Sequence, residues 1–236
     1  MNKEENMSFW EHLDEFRSRL LIILSSIFLG SIGGYLYSEG IIELLVFPSK
    51  SLDISFQVIA VTSMFMIKLL VCFFTGLIIG FPVLVYNLIK FLLPAFKIKL
   101  KGILFVVIFS SLLFFSGILF GYYIIIPFLL IFFTSISFDN IDVKYNFTLG
   151  AYLNYTIWIM FINGIIFQMP VVSMIGAKTG ILTPAFLKHY RRHSFVFFLI
   201  ISALITPPDP LSQILICIPF AVLYELSIII SKIFTK

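Results

Sequence analysis

Residues 103–133 have the sequence ILFVVIFSSLLFFSGILFGYYIIIPFLLIFF, and these 31 consecutive positions contain no Asp, Glu, Lys or Arg. A helix of about 20 apolar residues is long enough to cross the hydrocarbon core of a bilayer. The whole chain of 236 residues is 60% hydrophobic and only 12% charged. A typical soluble domain carries about 25% charged residues, so the solvent of most of this chain is predicted to be lipid.

With the sequence on either side of this run, the chain is predicted to be an all-α polytopic membrane protein with six transmembrane helices in one domain, residues 1–236. The predicted spans are residues 20–37, 61–93, 103–133, 149–177, 194–206 and 211–230. Four of them contain a proline: Pro82, Pro127, Pro170 and Pro219. Because proline removes a backbone hydrogen bond, we expect several kinked helices and a concave bundle.

The last two spans are short, and the fifth has only 13 residues. At 1.5 Å per residue it would reach about 20 Å across a core of about 30 Å. Two interpretations remain open. In the first, the helix is truly short, and the membrane is thinner there or the helix oligomerises. In the second, the helix continues back through residues 189–193, with its basic side chains reaching the interface.

The basic residues predict the orientation. With six spans both termini share one side, and that side holds all of the 16 Lys and Arg residues except Lys50, Lys68 and Lys144. Since cytoplasmic loops are enriched in Lys and Arg, both termini are predicted to be cytoplasmic. Residues 1–19 then form a cytoplasmic N-terminus with mixed charge and no evident cleavage site. A bacterial inner (plasma) membrane and an organellar membrane both fit.

The segment that leads into the first span is amphipathic. Phe9, Leu13, Phe16 and Leu20 recur at helical spacing, and Glu15 lies on the polar face. One interpretation is a local ion pair between Glu15 and Arg19, which are four residues apart. The other is a carboxylate at the membrane surface that receives an arginine from a partner, since a carboxylate and a guanidinium match in charge and geometry.

Several ordered motifs resemble the TatC family of twin-arginine translocase subunits. They are HLDEFRSRL at 12–20, FPVLVYN at 81–87 with Phe91 and PAF at 94–96, FQMP at 167–170, TPPDPLSQ at 206–213, IP at 218–219, YE at 224–225, Pro48 and Lys68. One such motif would be weak evidence, but together they cover the chain from about residue 8 to residue 232.

The resemblance implies a subunit that recognises signal peptides with consecutive arginines and exports folded proteins. It implies the partners TatB and TatA, self-association, and use of the proton motive force. Carried onto this chain, it implies a signal-peptide site at Glu15, with Glu11 and His12 beside it, Arg17 ordering it, and Phe91 and Pro94 in the first cytoplasmic loop.

The same resemblance implies that the short fifth and sixth helices, with Asp209 and Gln213, receive the helix of a small partner. From the residues alone, Asp209 is equally a helix cap. Glu225 is expected to pair with Lys232 or with a cation of the neighbouring loop. Pro48 is assigned a structural role after the first span.

The chain departs from the family pattern at two positions. Leu100 stands where many relatives carry an acidic residue, and its loop contains only lysines, which also act as topological signals. Gln168 stands where relatives often carry Glu, so a proton relay there is not expected. We expect Gln168 instead to donate to backbone freed by Pro170 or to a partner helix, or to have a purely structural role in holding membrane helices together.

Other functions find less support. A small-solute or ion transporter is the alternative, but such folds usually show repeats and deep charged groups. No enzyme motif or nucleotide-binding loop is found, so no catalysis, cofactor or nucleic-acid partner is expected. His189 and His193 have helical spacing for a metal, but Arg191 and Arg192 make the site cationic, so no metal is expected. Cys72 and Cys217 are predicted to be buried, inert thiols.

Overall fold

The structure is a computed structural model, and it describes residues 9–50, 52, 54–60, 62–92, 100–135, 145–205 and 210–235. Ten α-helices and two short strands form the described part of the chain. The helices are α1 Phe9–Leu36, α2 Ser38–Val46, α3 Ser63–Leu92, α4 Leu100–Phe120, α5 Ile126–Ser135, α6 Leu149–Ile166, α7 Met169–Thr179, α8 Pro184–His189, α9 Arg191–Ile205 and α10 Pro210–Phe234. The strands are β1 Ile54–Gln57 and β2 Tyr145–Thr148.

Within these residues, five helical segments are long and apolar enough to cross a membrane. They are Trp10–Leu36, Ser63–Phe91, Gly102–Ser135, Leu149–Thr179 and Ile216–Phe234. Large apolar side chains are exposed along them, as expected for a surface that faces lipid. The predicted polytopic helical fold is therefore confirmed, while the count of six spans stays a prediction.

The fifth predicted span corresponds to α9, which has 15 residues and reaches about 22 Å. It begins at Arg191, so the helix does extend back into the basic segment, as one interpretation proposed. The extension covers only residues 191–193 of the basic segment, because His189 belongs to α8 and Tyr190, with φ −88° and ψ 9°, departs from α-helical backbone between the two helices.

The prolines act in two ways. Pro82 and Pro219 lie inside the continuous helices α3 and α10. Pro127 instead lies just after a π-helical turn at Gly121–Ile125, and Pro170 is the second residue of α7, after the chain leaves α6 at Phe167 and Gln168. The π-helical turn and the break give the backbone other ways to accommodate a missing N–H.

The chain forms two compact units, and the first comprises Met1–Leu44 and Ile59–Leu112. In this unit α1 packs along α3. Glycines let the two backbones approach closely: a Cβ on Gly30 would lie 3.0 Å from the Gly76 Cα, and one on Gly80 would lie 3.1 Å from Ile27 Cγ1. Small residues at such spacing are typical of tightly packed membrane helices.

The second unit comprises Leu45–Val58 and Leu113–Lys236. Its core is apolar, with Leu129, Ile159, Ile216 and Phe220 almost fully buried. The sequence did not predict the parallel pairing of β1 with β2, in register from Ile54 with Tyr145 to Gln57 with Thr148. Each strand is only four residues long, so neither gives a periodic signal strong enough to detect.

We predict that Gly76→Ala destabilises the protein by about 1–3 kcal/mol, because the new methyl group would overlap the Ile27 carbonyl and Ser31 of α1. Thermal unfolding of the detergent-purified protein measures this. Gly33→Ala is the matched control, since its Cβ meets no atom within 4 Å. Equal unfolding midpoints for the two variants would contradict the proposed packing.

Candidate functional site

The first turns of α1 carry the carboxylate that the sequence singled out. Glu15 is half-buried, with 18% of its side chain exposed, although the helix around it is mostly exposed. Arg19 lies one turn later and is similarly covered, with 15% exposed. The two charges therefore meet in a partly desolvated place, where an ion pair is stronger than on an open surface.

The two oxygens of the Glu15 carboxylate are used unequally. Arg19 donates to Oε1 through Nε, at 2.9 Å, and also through Nη2. Oε2 is buried and accepts no hydrogen bond from the described residues. The Nδ1 atom of His12 lies 4.0 Å from this oxygen. A buried acceptor without a donor is costly, so this oxygen favours an additional N–H group.

An aromatic cluster fixes the α1 segment against the end of α3. The His12 ring stacks on Phe91 with centroids 4.5 Å apart and planes 13° apart. Phe16 packs on the same Phe91 ring at 5.4 Å. Phe91 was predicted to belong to the site, and the structure brings it to within contact of His12. Phe16 was identified only as part of the apolar face, and its aromatic partner could not be found from sequence.

The other predicted residues of this site are placed differently. Arg17 is exposed and two residues beyond Glu15, which puts it on another face of the helix. Arg19, not Arg17, contacts the carboxylate. Glu11 is exposed in the first turn of α1, one turn before Glu15 on the same face. Pro94 lies outside the described residues, and the side chain of Leu100 is likewise not described.

Gln168 lies at the break between α6 and α7. Its Nε2 donates to the Gly164 carbonyl at 3.3 Å, within the same segment. Pro170 follows in the first turn of α7. The side chain thus bonds to the Gly164 carbonyl, whereas the carbonyl that Pro170 leaves without its helical donor is that of Ile166, so the roles expected for Gln168 stay predictions.

The remaining predicted polar residues lie in the second unit. Gln213 Nε2 donates to the Leu199 carbonyl at 2.8 Å, joining α10 to α9. Arg191 donates to Glu225 at 2.7 Å, so the partner of Glu225 is a cation from the 178–193 segment. Pro48 lies in a 3₁₀ turn, Phe47–Ser49. Asp209 falls outside the described residues.

The sequence assigned no hydrogen-bond partner to two buried polar groups. Asn163 is fully buried and donates to the Ile159 carbonyl at 2.8 Å. The Tyr152 hydroxyl donates to the Leu45 carbonyl at 3.0 Å, a bond between residues 107 positions apart. A lone Asn or Tyr in an apolar run gives no sign of its partner in the sequence.

Fold and site together define a multi-span helical membrane protein with an acidic and aromatic cluster at one end of α1. The family model for TatC, the Sec-independent protein translocase protein, matches residues 11–219. The protein TatCy of Bacillus subtilis is 33% identical over 231 residues, which cover 98% of this chain and 91% of that protein. TatC of Listeria innocua is 34% identical and covers 97% of this chain and 92% of that protein.

A solved structure gives the same result in three dimensions. The crystal structure of a twin-arginine translocase receptor, TatC, superposes with a TM-score of 0.86 at 30% identity, covering 96% of this chain and all of that one. The chain therefore belongs to the TatC family of Sec-independent protein translocase proteins. It is a transport protein, a component of a protein translocase.

We predict that Phe91→Ala loosens the start of α1, because it removes both ring contacts that attach α1 to α3 there. Aromatic pairs contribute about 0.5–1.5 kcal/mol, so amide hydrogen exchange at 10–16 should rise roughly two- to tenfold. Leu88→Ala, at an exposed position of the same helix, is the control. Unchanged exchange in Phe91→Ala would show that the aromatic cluster does not hold this segment.

Proposed function

We propose that this chain is the signal-peptide-receiving subunit of a twin-arginine translocase, and that Glu15 binds an arginine of the signal peptide. The observation that carries the proposal is the Glu15 carboxylate, which has one oxygen on Arg19 and a second, buried oxygen without a hydrogen bond among the described residues. The twin-arginine name of the structural relative supports the same ligand.

The geometry gives a low-cost route to binding. A guanidinium has five N–H donors in one plane, so an incoming arginine can donate to Oε2 or take the place of Arg19 on Oε1. In the second case one guanidinium replaces another, and no carboxylate is left buried without its partner. The half-exposed rings of His12 and Phe16 offer a surface over which the second arginine can stack.

The lysines of the 97–101 segment bear on the same ligand. The segment contains no acidic residue that could bind an arginine of the signal peptide. We therefore propose that Glu15, with Glu11 nearby, supplies the negative charge of the site. The role of the lysines is topological, since Lys-rich loops stay in the cytoplasm.

We propose that the chain lies in a plasma membrane with both termini in the cytoplasm. It works there with single-span TatB- and TatA-type subunits, driven by the proton motive force. The short helix α9 supports a docking place for a partner helix, because a helix shorter than the hydrocarbon core favours association with other helices. Self-association of the subunit belongs to the same proposal.

We predict that Glu15→Ala and Glu15→Lys abolish crosslinking of a twin-arginine peptide to the purified protein. Loss of a charge-assisted hydrogen bond costs about 1.5–3 kcal/mol, which corresponds to at least about a tenfold loss in affinity. Glu39→Gln removes a carboxylate elsewhere in the same unit and should bind normally. Thermal unfolding confirms that each variant is folded, and undiminished crosslinking in a folded Glu15 variant would refute the site.

We predict that Gln168→Leu reduces export less than Glu15→Ala does. Gln168 makes a neutral hydrogen bond of 3.3 Å, and such bonds contribute about 0.5–1.5 kcal/mol. Export of a folded reporter with a twin-arginine signal, normalised to the amount of each variant in the membrane, ranks the two. The reverse order would mean that the polar group at the α6–α7 break matters more than the surface carboxylate.

A further inference from the structure

A groove of about 480 Å³ lies between α9 and α10 at the basic end of α9. Arg191, Arg192, Phe195 and Val196 line it from α9, and Ala221 lines it from α10. Tyr224 also lines the groove, but its hydroxyl donates to the Leu187 carbonyl at 2.7 Å. The Tyr224 ring therefore forms one side of the groove in a fixed position, and its hydroxyl has no further hydrogen to donate to a ligand.

The charges at the mouth of this groove are not balanced. Arg191 donates to Glu225 at 2.7 Å, so one guanidinium is paired. Arg192 is exposed and makes no ion pair with a carboxylate of the described residues. Lys188 lies four residues before it in sequence and adds to the positive potential. The groove mouth thus favours an anion.

Exposed side chains change from basic to apolar within one turn of α9. Arg191, Arg192 and His193 are followed by Phe195 and Val196, which are 49% and 55% exposed. Basic residues prefer the headgroup level of a bilayer, and exposed apolar residues prefer the acyl chains. The groove therefore crosses the level at which phospholipid phosphates lie.

We propose that this groove binds one anionic phospholipid, with its phosphate on Arg192 and the free donors of Arg191, and an acyl chain along Phe195, Val196 and Ala221. Basic pockets between membrane helices suit anionic headgroups. A guanidinium and a phosphate match in charge and in planar donor geometry. The apolar continuation of the groove selects a lipid over a free anion.

Such a lipid would also help to hold α9 in place. With 15 residues, α9 spans about 22 Å, less than a hydrocarbon core of about 30 Å. A helix that is shorter than the hydrocarbon core has a free-energy cost that grows with each ångström of the difference in length. A headgroup bound to the first turn of α9 anchors that end at the interface.

The test uses native mass spectrometry of the detergent-purified protein with dioleoyl phosphatidylglycerol, and with dioleoyl phosphatidylcholine as the zwitterionic reference. Arg192→Gln is expected to weaken phosphatidylglycerol binding about fivefold, the effect of one interfacial cation. Ala221→Phe, which fills the groove, should weaken it as well. Lys232→Gln removes the same charge from α10 outside the groove and should leave binding unchanged.

The outcomes separate the alternatives. Equal losses in Arg192→Gln and Lys232→Gln would overturn the proposal, because binding would then follow net charge alone. It would also be overturned if millimolar inorganic phosphate displaced the lipid while Ala221→Phe had no effect, since the groove would then be an anion site. Loss in both groove variants, with an intact control, supports it and does not depend on the role of Glu15.

Discussion

The packing of α1 against α3 determines where the Glu15 carboxylate stands. Glycines at positions such as Gly30 and Gly76 bring the two backbones into contact within the apolar part of the unit. At the polar end, Phe91 of α3 contacts both His12 and Phe16 of α1. Glu15 lies between those two aromatic positions on α1, so its side chain is half-buried in a segment that is otherwise exposed.

This position explains why the local ion pair and the proposed receptor site are compatible. The sequence offered them as competing interpretations, and the structure shows Arg19 on only one of the two oxygens. A carboxylate in water would bind an arginine weakly, and a fully buried one would exclude the peptide. Glu15 is intermediate: Arg19 orients its carboxylate through Oε1, and the buried Oε2 accepts no hydrogen bond from the described residues.

Most of the fold could be predicted from the sequence because lipid leaves the backbone few choices. Long apolar runs must satisfy their N–H and C=O groups internally, so residues 103–133 could only be helical. The helix ends were less predictable. The π-helical turn before Pro127 and the break at Gln168 are local backbone responses that depend on neighbouring helices.

The candidate site likewise contains residues that the sequence could identify and contacts that it could not. Glu15, Arg19 and Phe91 are visible in the sequence through helical spacing or family resemblance. The stack of His12 on Phe91, the pairing of Arg191 with Glu225, and the β1–β2 sheet are contacts between residues 34 to 91 positions apart. No periodicity within one segment reports such contacts, because they depend on how helices from distant parts of the chain pack.

The proposed binding of an arginine at Glu15 requires that this end of α1 faces the cytoplasm, and labelling tests this most directly. Ser18→Cys and Tyr37→Cys place thiols near the two ends of the first span, while the native Cys72 and Cys217 are buried. With a membrane-impermeant maleimide, Tyr37→Cys should react in intact cells and Ser18→Cys only after the cells are broken. Labelling of Ser18→Cys in intact cells would put Glu15 outside and contradict the account.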